Sequence, residues 1–194
     1  MPSVRALIMK KRSYGEGDLL IDILGSHGEK YRLLAKNARQ SKKRFVGGVL
    51  DPLQFAELSI LERSKGFDLV TEGKIIYPFQ SLRESYAKLT LGFYFTKIID
   101  QVTMEGIDEN KSLFDLLGNS LRTLEKSEDI DQLKVRFQLK LLFYMGLYSP
   151  IKELNALTSQ PVSAQIKEKM SDKLIYSAQN FVRKTMVSLD LPFS

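Results

Sequence analysis

Residues 30–45 read KYRLLAKNARQSKKRF: seven Lys or Arg and no Asp or Glu. Positive charge at this density either stays solvated as a loop or takes up a polyanion, whose phosphates release counterions when cations neutralise them. The cations are Lys30, Arg32, Lys36, Arg39, Lys42, Lys43 and Arg44. Lys10, Lys11 and Arg12 add three more at the end of an earlier apolar run. On an extended strand Lys30 and Arg32 share a face, and Lys36 joins them if no bulge intervenes. Tyr14, Tyr31 and Phe45 flank the charges. Single-strand binders combine such a groove with rings that stack on bases, worth about 1–3 kcal/mol per base. These thirteen residues form a candidate nucleic-acid surface, with the rings as stacking candidates.

Other chemistry finds little support. The chain has one His and no Cys, so a Cys/His nucleophile pair, a disulfide framework and a cysteine-ligated zinc are excluded. GxSxG, GxxxxGK[ST], GxGxxG and HExxH are all missing. YGEGD (14–18) has glycines at the wrong spacing for a phosphate cradle, and Glu16 and Asp18 would repel phosphate. Metal-dependent nucleases cluster carboxylates. Asp18 and Asp22 share a presumed strand without a third partner in view, so both are read as solvent-facing barrel residues and His27 as a turn residue. A protein that is not an enzyme, with no metal and no cofactor, is expected.

The elements that must position these groups come from a chain of 194 residues, long enough for one large domain or two small ones with a substantial core. Hydrophobic residues make up 43% and charged residues 27%, as in ordinary globular proteins. The N-terminus lacks an apolar h-region with a cleavage site. No apolar run approaches about 18 residues, so no membrane partner is expected. Together with the lack of Cys this suits a reducing, cytoplasmic setting. The net charge of +6 is uneven. Residues 1–80 hold 14 Lys or Arg against 9 Asp or Glu, and residues 81–194 hold 15 against 14. The anionic partner is therefore expected at the N-terminal part.

That part is punctuated like a β-domain. VRALIMKK (4–11), DLLIDILG (18–25), KYRLLAK (30–36), LQFAELSILE (53–62) and FDLVTEGKIIY (67–77) are five strand candidates separated by SYGEG, SHGE, the basic segment and RSKG. Five short strands fit a small barrel, of the OB type or SH3-like. After Pro78 the period changes. SLRESYAKLTLGFYFTKIIDQV (81–102) places Tyr86, Leu89, Phe93 and Val102 on a stripe with Ile98 nearby, and is apolar enough for a central helix. KSLFDLLGNSLRTLEK (111–126) repeats Leu113, Leu117, Leu121 and Leu124. DIDQLKVRFQLKLLFYMG (129–146) opens with acidic residues and stops at Gly146. PVSAQIKEKMSD (161–172) and DKLIYSAQNFVRKTMVSL (172–189) complete the helices, the last with Leu174, Ala178, Phe181 and Val182 inward. The fold class read here is α+β and multidomain. A small β-barrel, the candidate nucleic-acid-binding domain, occupies 1–80, and an α-helical domain occupies 81–194, with the boundary at 78–82.

The span from Ile8 to Ile60 resembles the N-terminal domain of the bacterial recombination mediator family RecO. The resemblance rests on a strand ending in Lys/Arg, Tyr14-Gly15-Glu16, an apolar strand from Asp18, a Gly28 turn, Ala35-Lys36-x-Ala38-Arg39, a basic segment with Ser41, and LDPLQFAEL. It covers residues 4 to about 80 well and the helices to about 148 more loosely, including RFQLKLLFYMGLYSP. It implies that the barrel at 1–80 is an OB-fold that binds single- and double-stranded DNA, anneals strands, and helps load recombinase onto DNA coated by single-strand-binding protein. It implies a RecR-type partner, the acidic Phe-ending tail of the single-strand-binding protein as another, and a nucleoid-associated location when on DNA. Lys36 and Arg39 fall on the family's Ala-Lys-x-Ala-Arg positions. Asn37 stands where Gly is common, and Asn tolerates the left-handed region. IKELNALTSQPVSAQ replaces a four-cysteine zinc site, and the chain is short for the family. The resemblance therefore implies a helical domain at 81–194 that binds partners and lacks a zinc finger. The closing SLDLPFS (188–194) is either a frayed end or a copy of the acidic-Pro-Phe tail that docks on the chain itself. Two other readings stand beside this one: an RNA-binding OB protein, and a helical interaction scaffold whose barrel binds no DNA.

Overall fold

A computed structural model of the chain describes residues 2–41, 43–105, 110–147, 158, 162 and 170–192. The helix expected at 161–172, the segment replacing the zinc site, and Lys42 lie largely or wholly outside them. The chain folds into two compact units, one of residues 1–80 with 102–114 and one of residues 81–101 with 115–194.

The first unit is a closed five-stranded barrel. Its strands are β1 (Ser3–Tyr14), β2 (Asp18–Gly25), β3 (Lys30–Ala35), β4 (Phe55–Leu61) and β5 (Leu69–Tyr77). They are ordered β1-β2-β3-β5-β4 and closed by the β1–β4 pair. Every pairing is antiparallel except β3–β5, a parallel contact of Leu34 with Leu69. This is an OB-like barrel, whose β2–β3 face and β1–β2 and β4–β5 loops are the usual ligand surface of that fold. Alternate residues of each strand point inward. Ala6, Ile8, Ile21, Ile23, Leu33, Ala35, Ala56, Leu58, Ile60 and Val70 make an apolar interior, joined by Phe45, Val49 and Leu50 from the β3–β4 connection. Segment 102–114 packs on the barrel: Lys30 Nζ donates to the Thr103 carbonyl at 3.2 Å, and Phe55 and Phe114 pack at 5.8 Å between centroids. Gly28 makes this approach possible. Its φ is 97°, and a Cβ there would overlap the Asn110 backbone.

The second unit is helical: α1 (Tyr86–Val102), α2 (Lys111–Lys126, beginning in the first unit), α3 (Ile130–Tyr144) and α4 (Asp172–Ser188). α1 starts five residues later than its pattern suggests. A 3-10 turn at Gln80–Glu84 precedes it, and the Ser85 hydroxyl then accepts from Lys88 N–H at 3.4 Å. The expected stripe is also corrected. Tyr86 is 87% exposed and Phe93 is exposed, whereas Leu91, Tyr94, Phe95, Ile98 and Ile99 are buried. Two stripes with helical spacing coexist on α1, and packing chose the one the pattern did not favour.

The central position expected for α1 belongs to α3. Ten of its 15 residues are buried, among them Gln132, Arg136, Gln138 and Lys140. Asp129 caps it by accepting from Gln132 N–H at 3.0 Å, and Gly146 ends it at φ 71°. Phe137 stacks on Phe95 at 4.1 Å. The four leucines of α2 are buried as spaced. α4 packs along α3 and buries Ala178, Val182 and Met186, with Leu174 and Phe181 half-buried. Tyr94 accepts from the Gln138 amide and donates to the Pro192 carbonyl at 3.1 Å, which ties the stretch after α4 to the unit's interior. Burial pushes the Tyr94 phenol up to about 12 against the opposing Gln138 bond, and burial pushes the Lys140 ammonium down.

Candidate nucleic-acid interface

The basic residues of β1 are sorted by a bulge. The register of β1 on β2 shifts between Ile8 and Lys10. Before the bulge even-numbered residues face inward, and after it odd-numbered ones do. Cross-strand partners share a face, so Lys11 opposite Ile21 points along the interior side, while Lys10 opposite Asp22 points outward. The expectation that Lys10, Lys11 and Arg12 line one side is thereby corrected: one goes to the barrel's end and two to its outer face.

At that end lies a cleft of about 370 Å³ lined by Lys11, Arg12, Ser13, Leu19, Ala38, Arg39, Phe45, Gly48, Leu50 and Asp51. Arg39 donates to the Ser13 hydroxyl and, at 3.5 Å, to the Glu16 carbonyl. Lys11 pairs with Asp51. The turn after β3 supplies the remaining cations. Asn37 takes φ 50°, and its N–H donates to Asp18 Oδ1 at 2.8 Å, so Asp18 organises the turn that displays Lys36 and Arg39. Arg44 donates to the Lys36 carbonyl at 2.7 Å and its own N–H donates to Ser41 Oγ at 3.2 Å. Lys36, Arg39 and Arg44 are thus drawn together beside the cleft, and Lys43 is exposed next to them. Among the described residues, Lys10, Lys36, Arg39, Lys43 and Arg44 have no carboxylate partner.

The outer face of β1–β3 differs. Asp22 is 1% exposed, not solvent-facing as its sequence suggested. Arg12 closes over it with bonds of 2.9 and 3.2 Å, and Arg32 with one of 2.7 Å. Arg32 also lies 3.8 Å from Glu105. A buried carboxylate persists only when charge-assisted bonds replace its water. Arg12, Arg32 and Lys30 therefore hold the fold with at least part of their donor capacity. A carboxylate flanked by Ile21 and Ile23, with an Arg directly across the pair, is the sequence signal for this arrangement.

Only one of the three expected stacking rings is open. Tyr14 is 48% exposed and meets Phe67 edge-on at 6.1 Å, joining the β1–β2 and β4–β5 loops. Phe45 is buried in the barrel core, with the Arg44 guanidinium 5.2 Å above its ring, and Tyr31 packs half-buried against the same core. Neither offers a free face, because the pleat turns both inward or beneath the connection. Phe67, the partner of Tyr14, went unnoticed in the sequence because it sits alone after RSKG.

No group of three or more His, Asp or Glu converges among the described residues, and none of their helices is long and apolar enough to cross a membrane.

Two family models match successive stretches of the chain. The N-terminal model of recombination protein O matches residues 1–79, and the C-terminal model of the same protein matches residues 83–153. The chain belongs to the RecO family. The DNA repair protein RecO of Alkaliphilus metalliredigens is 30% identical over 141 residues, 72% of this chain and 56% of that protein. The RecO protein of Syntrophobacter fumaroxidans is 35% identical over 149 residues, 73% of this chain and 57% of that one. That of Bacillus subtilis is 23% identical over 154 residues, covering 79% and 59%. The chain thus spans a little over half the length of these curated RecO relatives. Their names denote DNA repair, and none denotes a catalytic activity.

Proposed function

We propose that this chain is a non-enzymatic, DNA-binding mediator of recombinational repair. It binds and anneals single-stranded DNA, also binds duplex, and helps load recombinase onto DNA coated by single-strand-binding protein. The observation that carries this reading is the gathering of Lys36, Arg39, Lys43 and Arg44 beside one end of the barrel without acidic partners among the described residues. Such a surface attracts a sugar-phosphate backbone irrespective of base sequence. Lys10 and the exposed edges of Arg12 and Arg32 extend it across the outer face of β1–β3, and Tyr14 with Phe67 offers a ring for stacking.

The partners belong to the same proposal: the acidic tail of single-strand-binding protein and a RecR-type protein. For the tail, the cleft of about 360 Å³ between α3 and α4 presents Lys134 and Arg183 beside Gln138, Tyr176 and Asn180. The protein works in the bacterial cytoplasm, on the nucleoid when bound.

The test is annealing of complementary oligonucleotides, with and without single-strand-binding protein, at several salt concentrations and without ATP. Acceleration that fades as salt rises is expected. Spontaneous rates at every salt concentration would sink the reading.

A further inference from the structure

Among the described residues, Asp51 is the carboxylate that lines the cleft at the barrel's end beside its cations. Asp51 accepts from Lys11 Nζ, and both side chains remain partly open to water, 35% exposed for Lys11 and 40% for Asp51. The backbone sets this carboxylate in place. Asp51 N–H donates to the Gly48 carbonyl at 2.8 Å. Gly48 takes φ 72°, and a Cβ on it would overlap the Asp51 carboxylate. A side chain at position 48 would oblige the Asp51 carboxylate to shift from this place.

Asp22, the paired carboxylate under the outer face of β1–β3, has a different character. Asp22 has its side chain 2% exposed and is clasped by two guanidiniums, a permanent part of the fold. The Lys11–Asp51 pair is watered and single, and such pairs exchange readily. Around it stand the Ser13 hydroxyl and the Arg39 guanidinium, already in contact. An ammonium, a guanidinium and a hydroxyl about one anion are the donors that a phosphodiester accepts from.

We propose that Lys11, Ser13 and Arg39 form a seat for one backbone phosphate, and that Asp51 is its resident surrogate, neutralising Lys11 until a strand displaces it. The inference rests on the nucleic-acid reading and names one subsite of it. Asp51 lowers affinity by competing for Lys11, and it removes one counterion release from the salt dependence of the free protein.

The test uses the full chain as wild type, Asp51→Asn, Asp51→Asn with Lys11→Met, and Glu62→Gln. Glu62 is exposed, lies outside the cleft, and removes the same charge. Two probes are compared: inorganic phosphate, read as a rise in thermal midpoint, and a dT oligonucleotide, read by anisotropy over a salt series. Asp51→Asn is expected to gain more from phosphate than wild type. Its oligonucleotide affinity should rise about threefold to tenfold, with a log–log salt slope steeper by about 0.7. Lys11→Met should cancel both gains, and Glu62→Gln should produce neither. If Asp51→Asn behaves as Glu62→Gln with both probes, the seat is overturned. A phosphate gain without oligonucleotide binding by any variant keeps the seat and sinks the nucleic-acid reading. Oligonucleotide binding with an unchanged slope and no phosphate gain does the reverse.

Discussion

The barrel and the helical unit handle polarity in opposite ways. The barrel's core cluster is apolar, Gln54 is buried in the same unit, and the charges lie on the outer face or around one end. The helical unit takes Gln132, Arg136, Gln138 and Lys140 of α3 into its interior, together with Thr96, Ser120 and Thr123. A strand hides one residue in two, so a barrel can keep all its cations on the other parity. A central helix is covered on most sides, and a sequence such as LKVRFQLK has no apolar residue to offer at every buried position. The helical unit satisfies part of this polarity internally, through the Gln138–Tyr94–Pro192 chain and the Arg136–Gln132 bond of 2.7 Å, while Ser120 Oγ and Thr123 Oγ1 are buried without a hydrogen-bond partner among the described residues. The barrel is built to present charge; the helical unit is built to specify one packing of its helices.

The contrast breaks first at the apolar centre of the helical unit. Phe95→Ala removes the ring stacked on Phe137 and should lower stability by about 3–5 kcal/mol, measured by chemical denaturation. A loss near 1 kcal/mol would mean that the polar bonds, not the rings, hold that interior. Next comes the barrel's surface. Lys36→Glu with Arg39→Glu should weaken oligonucleotide binding by about 100-fold, two charge-assisted contacts at roughly 1.5 kcal/mol each. The effect should be alike for all sequences, and the salt slope should be shallower. Unchanged anisotropy titrations would remove both residues from the surface.

Asp22 probes the one place where the barrel buries charge. Asp22→Asn keeps the shape but removes the charge that the Arg12 and Arg32 guanidiniums share, and should destabilise by about 1–3 kcal/mol in urea denaturation. A stabilised variant would show that Arg12 and Arg32 do better in water. The smallest effect sharpens the helical side. Tyr94→Phe should cost about 1 kcal/mol at neutral pH. Because the folded phenol is pushed up to about 12 from 10.0, the unfolded state ionises first as pH rises. Stability therefore falls between about pH 10 and pH 12, and Tyr94→Phe should lack that component of the fall. Parallel curves for the two proteins would contradict the burial of the hydroxyl.

Legibility follows the same division. The five strands were readable within about two residues at most ends, because turn signals bracket runs whose alternation matches the pleat. The exception is β1, which continues through Lys11 and Arg12 to Tyr14 where the apolar run stops. α2 was readable to the residue, since four leucines at helical spacing admit one face. α1 carried two such faces and was misread. Asn37 was legible as a left-handed turn residue from the resemblance, since it stands where the family commonly has Gly, and it takes φ 50°. Asp22, flanked by apolar neighbours, looked exposed because its partners are ten residues away on two different strands.

Read locally, the residues settle most strand and helix bounds, where the chain passes from strands to helices, and that positive charge collects in the N-terminal part. These are properties of short windows, set by periodicity, capping and turn residues. Which cations pair with carboxylates and which do not is set by the folded arrangement. A one-residue bulge sends Lys11 to the barrel's end and Lys10 outward, Asp22 engages Arg12 and Arg32, and the β3–β4 connection puts Phe45 inside while Lys36, Arg39 and Arg44 stay out. Each of those outcomes depends on register and on partners far along the chain, which no local pattern encodes.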